Sequence, residues 1–192
     1  MSSIFGHALI GASIGDNANP KSKADKAFLY LFFVALSINP DLDYLPTWFF
    51  GLNMEPRYSH SVLGCLAISL AGLLLKKYVL VRNLGKVHWF LIVVAPMSHI
   101  VLDYFVGVHK NPILWPMSNE LFAFSHGVLP SAGKLDFRNY YFWRNLLIEL
   151  GILIPVAFIL SKKRKIVKNK VSFAVLLVSF LFFGYMSYGL QR

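Results

Sequence analysis

The sequence predicts an all-α membrane protein, a bundle of about six apolar segments that form one integral membrane domain over residues 1–192. Composition is the first observation behind this fold class, because the 192 residues are 56% hydrophobic and 16% aromatic, with a mean hydropathy of +0.56. Charge is the second, since charged residues make up only 15% of the chain, against about 25% in an average globular protein. The third is the alternation of long apolar stretches with short basic ones, which is typical of a chain that crosses the membrane several times.

Six apolar segments follow one another, at residues 3–15, 27–39, 60–75, 88–107, 145–161 and 171–190. Only the last three approach the ~20 residues that a helix needs to cross a ~30 Å hydrocarbon core. The second segment would cover about 20 Å at helical rise, and the proline and acids of Asn39-Pro40-Asp41 stop it. Pro96 predicts a kink in the fourth segment. Short segments that end in carboxylates predict a polar pocket that neighbouring helices shield from lipid.

Basic residues predict the topology. Thirteen of the 19 Lys and Arg residues lie in three stretches between apolar segments, at residues 21–26, 76–86 and 162–170. The positive-inside rule puts such stretches in the cytoplasm, which gives a multi-pass membrane protein with both termini outside. Most acidic residues and His7, His60 and His99 then fall on the non-cytoplasmic side. Membrane lipids and a small-molecule or lipid substrate are the expected partners, nucleic acid is not, and the oligomeric state stays open.

His99 and Asp103 are the most informative pair of residues. They stand four positions apart in an apolar segment, so on a helix their side chains share one face about 5–6 Å apart. A neutral imidazole and a carboxylate are good ligands for zinc or manganese. A hydrogen bond between His99 and Asp103 that ties two helices together is the alternative. Burial of an unpartnered carboxylate costs several kcal/mol, so this pair needs an explanation of one kind or the other.

Further candidate ligands accompany this pair at the ends of other segments: His7, Asp41, Asp43 and His60. A hydrolytic metal site needs His and carboxylate ligands with at least one open position. The six residues are enough for one or two divalent ions, with zinc expected and manganese as the alternative. The sequence therefore predicts a metal-dependent hydrolase. A non-enzymatic protein with a structural metal clip, or with an ion or proton pathway, is the competing hypothesis.

Different roles are expected for the individual residues. Two positions apart, Asp41 and Asp43 point in different directions; we expect Asp43 to be a ligand, because Asp41 follows Pro40 and can cap the next turn. Either acid would bridge metal ions or act as general base. Arg57, Glu120 and His126 are candidates for substrate contact, Arg57 because guanidinium geometry suits phosphate oxygens.

The connection between residues 108 and 143 is long for a compact protein, and such connections are usually functional or disordered. Its content of Trp, Leu and Phe argues against disorder. We expect an ordered cover over the outer face, with room for a short interfacial helix.

Several motifs together resemble the bacterial membrane-bound metal-dependent hydrolase family typified by YdjM. They occur in order over most of the chain: His7-Ala-Leu-Ile-Gly, Asn39-Pro-Asp-Leu-Asp43, Tyr58-Ser-His-Ser61, His99-Ile-Val-Leu-Asp103, Leu114-Trp-Pro116 and Trp143-Arg-Asn-Leu-Leu147. The resemblance implies a multi-helix inner-membrane protein with metal-dependent hydrolase activity. The ligand order His, Asp, His, His-x3-Asp is also similar, more distantly, to the helical zinc phospholipase C and P1 nuclease group. That similarity implies hydrolysis of a phosphoester in a lipid or envelope substrate.

Overall fold

The computed structural model describes residues 2–19, 22–52, 55–78, 87–131, 136–161 and 169–190. These residues are predominantly helical and form no strand beyond a single isolated bridge, so the predicted all-α class is confirmed. The α-helices are α1 (Ile4–Gly15), α2 (Lys23–Ile38), α3 (Tyr44–Phe50), α4 (Val62–Tyr78), α5 (Trp89–Val106), α6 (Tyr140–Leu160) and α7 (Lys170–Tyr188).

Small polar residues begin most of these helices. The side chains of Ser3, Ser22, Asn139 and Asn169 each accept a hydrogen bond from a backbone amide in the first turn of the helix that follows. Ser61 does the same for α4, since its Oγ accepts from the amide of Gly64 at 3.0 Å. Such caps satisfy amides that have no partner inside the helix, so the apolar stretches begin as helices at defined residues.

Among the residues that the structure describes, four stretches are long and apolar enough to cross a membrane: Lys23–Thr47, Trp89–Val106, Tyr140–Leu160 and Lys170–Tyr188. The first is longer than the sequence predicts. Pro40 lies in the first turn of a 3-10 helix, Asn39–Asp43, that joins α2 directly to α3, and a proline is tolerated in a first turn because its missing N–H has no partner there. The count of about six crossings is therefore approximate, since α1 has only 12 residues and α4 has 17.

Helices α1 and α2 pack closely and antiparallel at the centre of the bundle. A Cβ added to Gly11 would lie 2.7 Å from the carbonyl oxygen of Phe33, so the backbones approach as closely as a glycine allows. Ile10, Ile14 and Leu29 are buried in the same core. This core also includes residues of α5 and α6. Helix α1 is therefore enclosed by other helices, which fix the positions of its residues.

The bundle has two chemically different ends. We call the end that holds Asp41 and Asp103 the acidic end, and the end that holds Lys23 and Lys76 the basic end. Exposed aromatic side chains surround the acidic end, where α6 begins and α7 finishes: Tyr140, Tyr141, Trp143, Tyr185 and Tyr188. Tyr and Trp concentrate at membrane–water interfaces, so this belt is consistent with an acidic end near the headgroups.

The connection after α5 lies against the acidic end. The amides of Phe124 and Val128 donate to the carbonyls of Tyr104 and Phe105 at 2.9 and 2.6 Å. Asn111 and Phe122 pair as an isolated β-bridge. The connection is thus held to the end of α5 by backbone hydrogen bonds, and its described residues, 107–131 and 136–139, contain turns and this bridge but no helix. The short interfacial helix that the sequence allows is therefore not found in these residues. Backbone N–H and C=O groups pair with the end of α5 and across the bridge instead.

Candidate metal centre

Five buried polar residues meet at the acidic end. His7 lies on α1, Asp41 on the 3-10 turn after α2, His60 on the 3-10 turn before α4, and His99 and Asp103 one turn apart on α5. All five are at most 3% exposed. The helices therefore bring to one point residues that are up to 96 positions apart in the chain, as the positions of His7 and Asp103 show.

Four of these residues form a group of the size that one metal ion requires. One ligand atom each from Asp41, His60, His99 and Asp103 lies within 4.8 Å of the others. Nε2 of His60 lies 3.4 Å from Oδ1 of Asp41 and 3.4 Å from Oδ2 of Asp103. Nε2 of His99 lies 3.5 Å from the same two oxygens. Ligand atoms at zinc distances in a tetrahedron lie roughly 3.3–3.6 Å apart, and these separations match.

Unpaired polar atoms point into the group. In the part of the chain that the structure describes, Nε2 of His7, His60 and His99 and both carboxylate oxygens of Asp41 are buried without a hydrogen-bond partner. Buried polar atoms are otherwise almost always hydrogen-bonded. Two ionised carboxylates also carry a charge of minus two, which a divalent cation would neutralise. The donor set, its orphaned atoms and its charge therefore fit a divalent metal ion.

His99 is fixed in the tautomer that a ligand needs. Its Nδ1 lies 2.8 Å from the backbone carbonyl oxygen of Ser37. A carbonyl can only accept, so Nδ1 carries the proton and Nε2 presents a lone pair to the cluster. Metal-binding histidines are characteristically oriented by such a second hydrogen bond.

Asp43 lies behind His60 and outside the four-residue group. Its Oδ2 accepts from Oγ of Ser59 at 2.5 Å and lies 3.5 Å from Nδ1 of His60. Its Oδ1 lies 3.3 Å from Nη1 of Arg57. The sequence predicts Asp43 as the ligand and Asp41 as a cap, whereas the structure places Asp41, and not Asp43, in the group that could hold a metal ion. The 3-10 turn directs Asp41 inward and Asp43 toward the Nδ1 side of His60, where a carboxylate orients the ring.

A cleft of about 550 Å³ opens beside the cluster. Tyr44, Arg57, His109 and Lys110 are among the residues that line it. The Arg57 guanidinium lies over the Tyr44 ring at 3.4 Å, and that ring meets the His60 ring edge to face at 5.9 Å. Tyr44 therefore lines the cleft and also contacts His60 of the cluster. Partial burial lowers the pKa of His109. Arg57 and Lys110 supply basic side chains to the cleft, which the acid Glu55 also lines.

Two of the predicted substrate-contact residues, Glu120 and His126, are exposed and are not among the residues that line the cleft. The neighbours of Glu120 in the chain, Asn119 and Leu121, do line it. His126 pairs with Ser125, whose Oγ lies 2.9 Å from its Nδ1. Of the three candidates, only Arg57 is brought to the cleft, because the turn before α4 holds it against Tyr44 and Asp43.

Sequence reasoning missed the residues that support the cluster, of which Ser2, Ser37, Tyr44 and Glu149 are the main ones. Ser37 contributes its backbone carbonyl. Every residue has such a group, so the sequence gives no signal for this contact. Glu149 is fully buried on α6, and both of its carboxylate oxygens accept from the amide of Ser3, at 2.9 and 3.2 Å. An acid within an apolar segment was a visible signal, since such residues are rarely without function in a membrane.

Together, the apolar helices and the buried cluster define a helical membrane protein with a candidate metal centre. The chain belongs to the YdjM inner membrane protein family, which it matches over residues 1–189. This confirms the family resemblance of its motifs. No curated protein and no solved structure matches the chain.

Proposed function

We propose that this protein is a metal-dependent hydrolase of the inner membrane that acts on a phosphoester of a lipid or envelope substrate. One observation carries the proposal: imidazole nitrogens and carboxylate oxygens that lack hydrogen-bond partners converge at one buried point. Zinc suits the His and Asp donors and manganese is the alternative. A bound divalent cation supplies Lewis acidity that polarises a phosphoryl oxygen.

Each residue of the site has a distinct task in this proposal. Asp41, His60, His99 and Asp103 hold the cation, while Ser37 and Asp43 orient the two histidines. Oδ1 of Asp41 faces His60 and His99, whereas its Oδ2 faces His7 at 3.9 Å. Oδ2 is therefore directed away from the cation that these two histidines would hold. Arg57 pairs with Asp43 through Nη1, and the rest of its planar fork suits a phosphate oxygen.

The proposed orientation has the acidic end on the non-cytoplasmic side. The supporting observation is the position of the basic stretches, because Lys23, Lys76 and Lys170 lie at helix ends opposite to the cluster. Cytoplasmic loops of membrane proteins carry the excess of Lys and Arg. The cleft would then take its substrate from the outer headgroup region.

A structural metal clip is the second candidate, and the near-complete burial of the cluster favours it. Closed coordination shells are typical of structural zinc sites. The cleft behind Tyr44 favours catalysis instead, because it leaves room for a substrate on one side of the cluster. An ion pathway is less well supported. Phe33, Leu36 and Ile92 form a buried apolar core between the cluster and the basic end.

The test is hydrolysis of a chromogenic phosphomonoester and phosphodiester by purified protein reconstituted with zinc or with manganese. We expect metal-dependent turnover that Asp41→Asn abolishes and that Arg57→Gln weakens mainly through KM. Arg144→Gln is the matched control, because Arg144 also lies over a tyrosine ring, Tyr141, but does not line the cleft. Bound metal without turnover, with a fall in Tm on chelation, would support the structural clip.

A further inference from the structure

His7 has no task in a centre that holds one ion. It is fully buried on α1, and neither of its ring nitrogens has a hydrogen-bond partner among the described residues. Its Nε2 lies 3.4 Å from Oδ1 of Asp103 and 3.9 Å from Oδ2 of Asp41. An imidazole buried without partners costs free energy, so the position calls for a ligand.

The orientation of His7 excludes it as a further ligand of the cation between His60 and His99. The rings of His7 and His99 are stacked, with centroids 3.8 Å apart and planes inclined by only 13°. An imidazole binds a metal through a lone pair that lies in the plane of the ring. One ion cannot lie in two nearly parallel planes at that separation. His7 and His99 therefore cannot bind the same ion, and their lone pairs are directed at two different positions.

Asp41 and Asp103 each direct one carboxylate oxygen at each of these two positions. Oδ1 of Asp41 and Oδ2 of Asp103 face Nε2 of His60 and His99. The remaining oxygen of each carboxylate, Oδ2 of Asp41 and Oδ1 of Asp103, faces Nε2 of His7. Carboxylates that offer one oxygen to each of two ions are bridging ligands, and the ions of two-metal sites lie about 3.5–4 Å apart.

We propose that the cluster is a two-cation site, in which His7 is the histidine ligand of a second divalent cation and Asp41 and Asp103 bridge the pair. The second position has His7 and one oxygen from each bridge, and Oδ1 of Asp103 also accepts a 2.8 Å hydrogen bond from the amide of Ser2. Three protein ligands leave the second cation an open coordination position. This inference deepens the proposed function, on whose metal centre it rests, because two-metal sites stabilise both the attacking and the leaving oxygen of a phosphoester.

The test is metal stoichiometry in purified protein that is loaded with zinc and then desalted. Wild type is expected to hold two zinc ions per chain. His7→Phe is expected to hold one, because phenylalanine keeps the stacked ring but lacks the nitrogen. His88→Ala is the control and should hold two, since His88 is exposed at the start of α5, far from the acidic end.

A second measurement separates loss of the second cation from loss of folding. After loading with manganese, wild type is expected to give the electron paramagnetic resonance spectrum of an exchange-coupled pair, and His7→Phe that of an isolated ion. One zinc per chain in wild type, or two in His7→Phe, would contradict the proposal of a second cation held by His7. Neither result would contradict the proposal that the cluster binds a metal ion. No bound zinc in wild type would overturn both.

Discussion

The backbone amide of Ser2 donates a hydrogen bond of 2.8 Å to Oδ1 of Asp103, so the segment just before α1 contacts the candidate metal centre directly. Buried Glu149 holds this segment in place, because it accepts from the hydroxyl of Ser2 and from the amide of Ser3. A Cβ on Gly6 would lie 2.5 Å from Oε1 of Glu149, which shows how closely α1 and α6 meet there. Glu149 therefore positions both Asp103 and, one turn along α1, His7.

Glu149→Leu is expected to weaken metal binding without removing any ligand. The change leaves the amide of Ser3 buried without an acceptor, which costs about 1–3 kcal/mol, and it releases the start of α1. Loss of supporting contacts typically lowers metal affinity about 10–100-fold. Titration of zinc against a competing chelator measures the effect. Glu149→Gln should recover part of the affinity, and Glu120→Gln, on an exposed acid, should change nothing. Wild-type affinity in Glu149→Leu would show that Glu149 does not position the centre.

Asp41 and Asp43 should respond differently to the same substitution. Asp41→Asn removes a charged ligand of the cluster, so we expect loss of bound zinc. Asp43→Asn removes no residue of the four-residue group but weakens the contacts of Asp43 with His60 and Arg57, so we expect zinc to remain bound with affinity lowered about 10–100-fold. The same chelator titration compares the two variants. Equal affinities in both variants would contradict the separate roles that the structure gives them.

Gly11→Ala tests the close packing of α1 on α2. Its Cβ would meet the carbonyl oxygen of Phe33 at 2.7 Å, and a backbone atom in a packed helix cannot move aside easily. Overpacking of this kind costs about 1–3 kcal/mol, so Tm in detergent should fall. Gly184→Ala on α7 is the matched control, because no atom lies within 4 Å of its added Cβ. Alanine favours a helix by about 0.5–1 kcal/mol over glycine, so Gly184→Ala should keep or raise Tm. Equal Tm values would mean that α1 and α2 are not in close contact.

Topology is tested by cysteine labelling in a Cys65→Ala background. Glu120→Cys, on the exposed connection at the acidic end, should react with a membrane-impermeant maleimide in intact cells. Lys23→Cys, exposed at the basic end, should react only after the cells are permeabilised. The physical reason is the retention of Lys and Arg on the cytoplasmic side. The reverse labelling pattern would show that the cluster faces the cytoplasm. It would then contradict the proposal that the substrate comes from the outer headgroup region.

Much of the fold and part of the site could be predicted from the sequence, because the signals are local. Helical spacing brings His99 and Asp103 to one face, and apolar length identifies the helices. The roles of Asp41 and Asp43 could not be predicted, since they depend on how the 3-10 turn Asn39–Asp43 rotates relative to α4. The contact between the Ser37 carbonyl and His99 and the stacking of His7 on His99 depend on how the helices pack against one another. No pattern in a single sequence indicates that packing.

Metal analysis of the purified wild type beside His99→Ala tests the central claim most directly. His99 presents Nε2 to both Asp41 and Asp103 and is held by Ser37, so its loss removes the best-oriented ligand of the first cation. After loading with zinc and desalting, wild type is expected to retain stoichiometric metal, and His99→Ala is expected to lose the first cation while it remains inserted in the membrane. Wild type without metal, or His99→Ala with the metal content of wild type, would contradict the account.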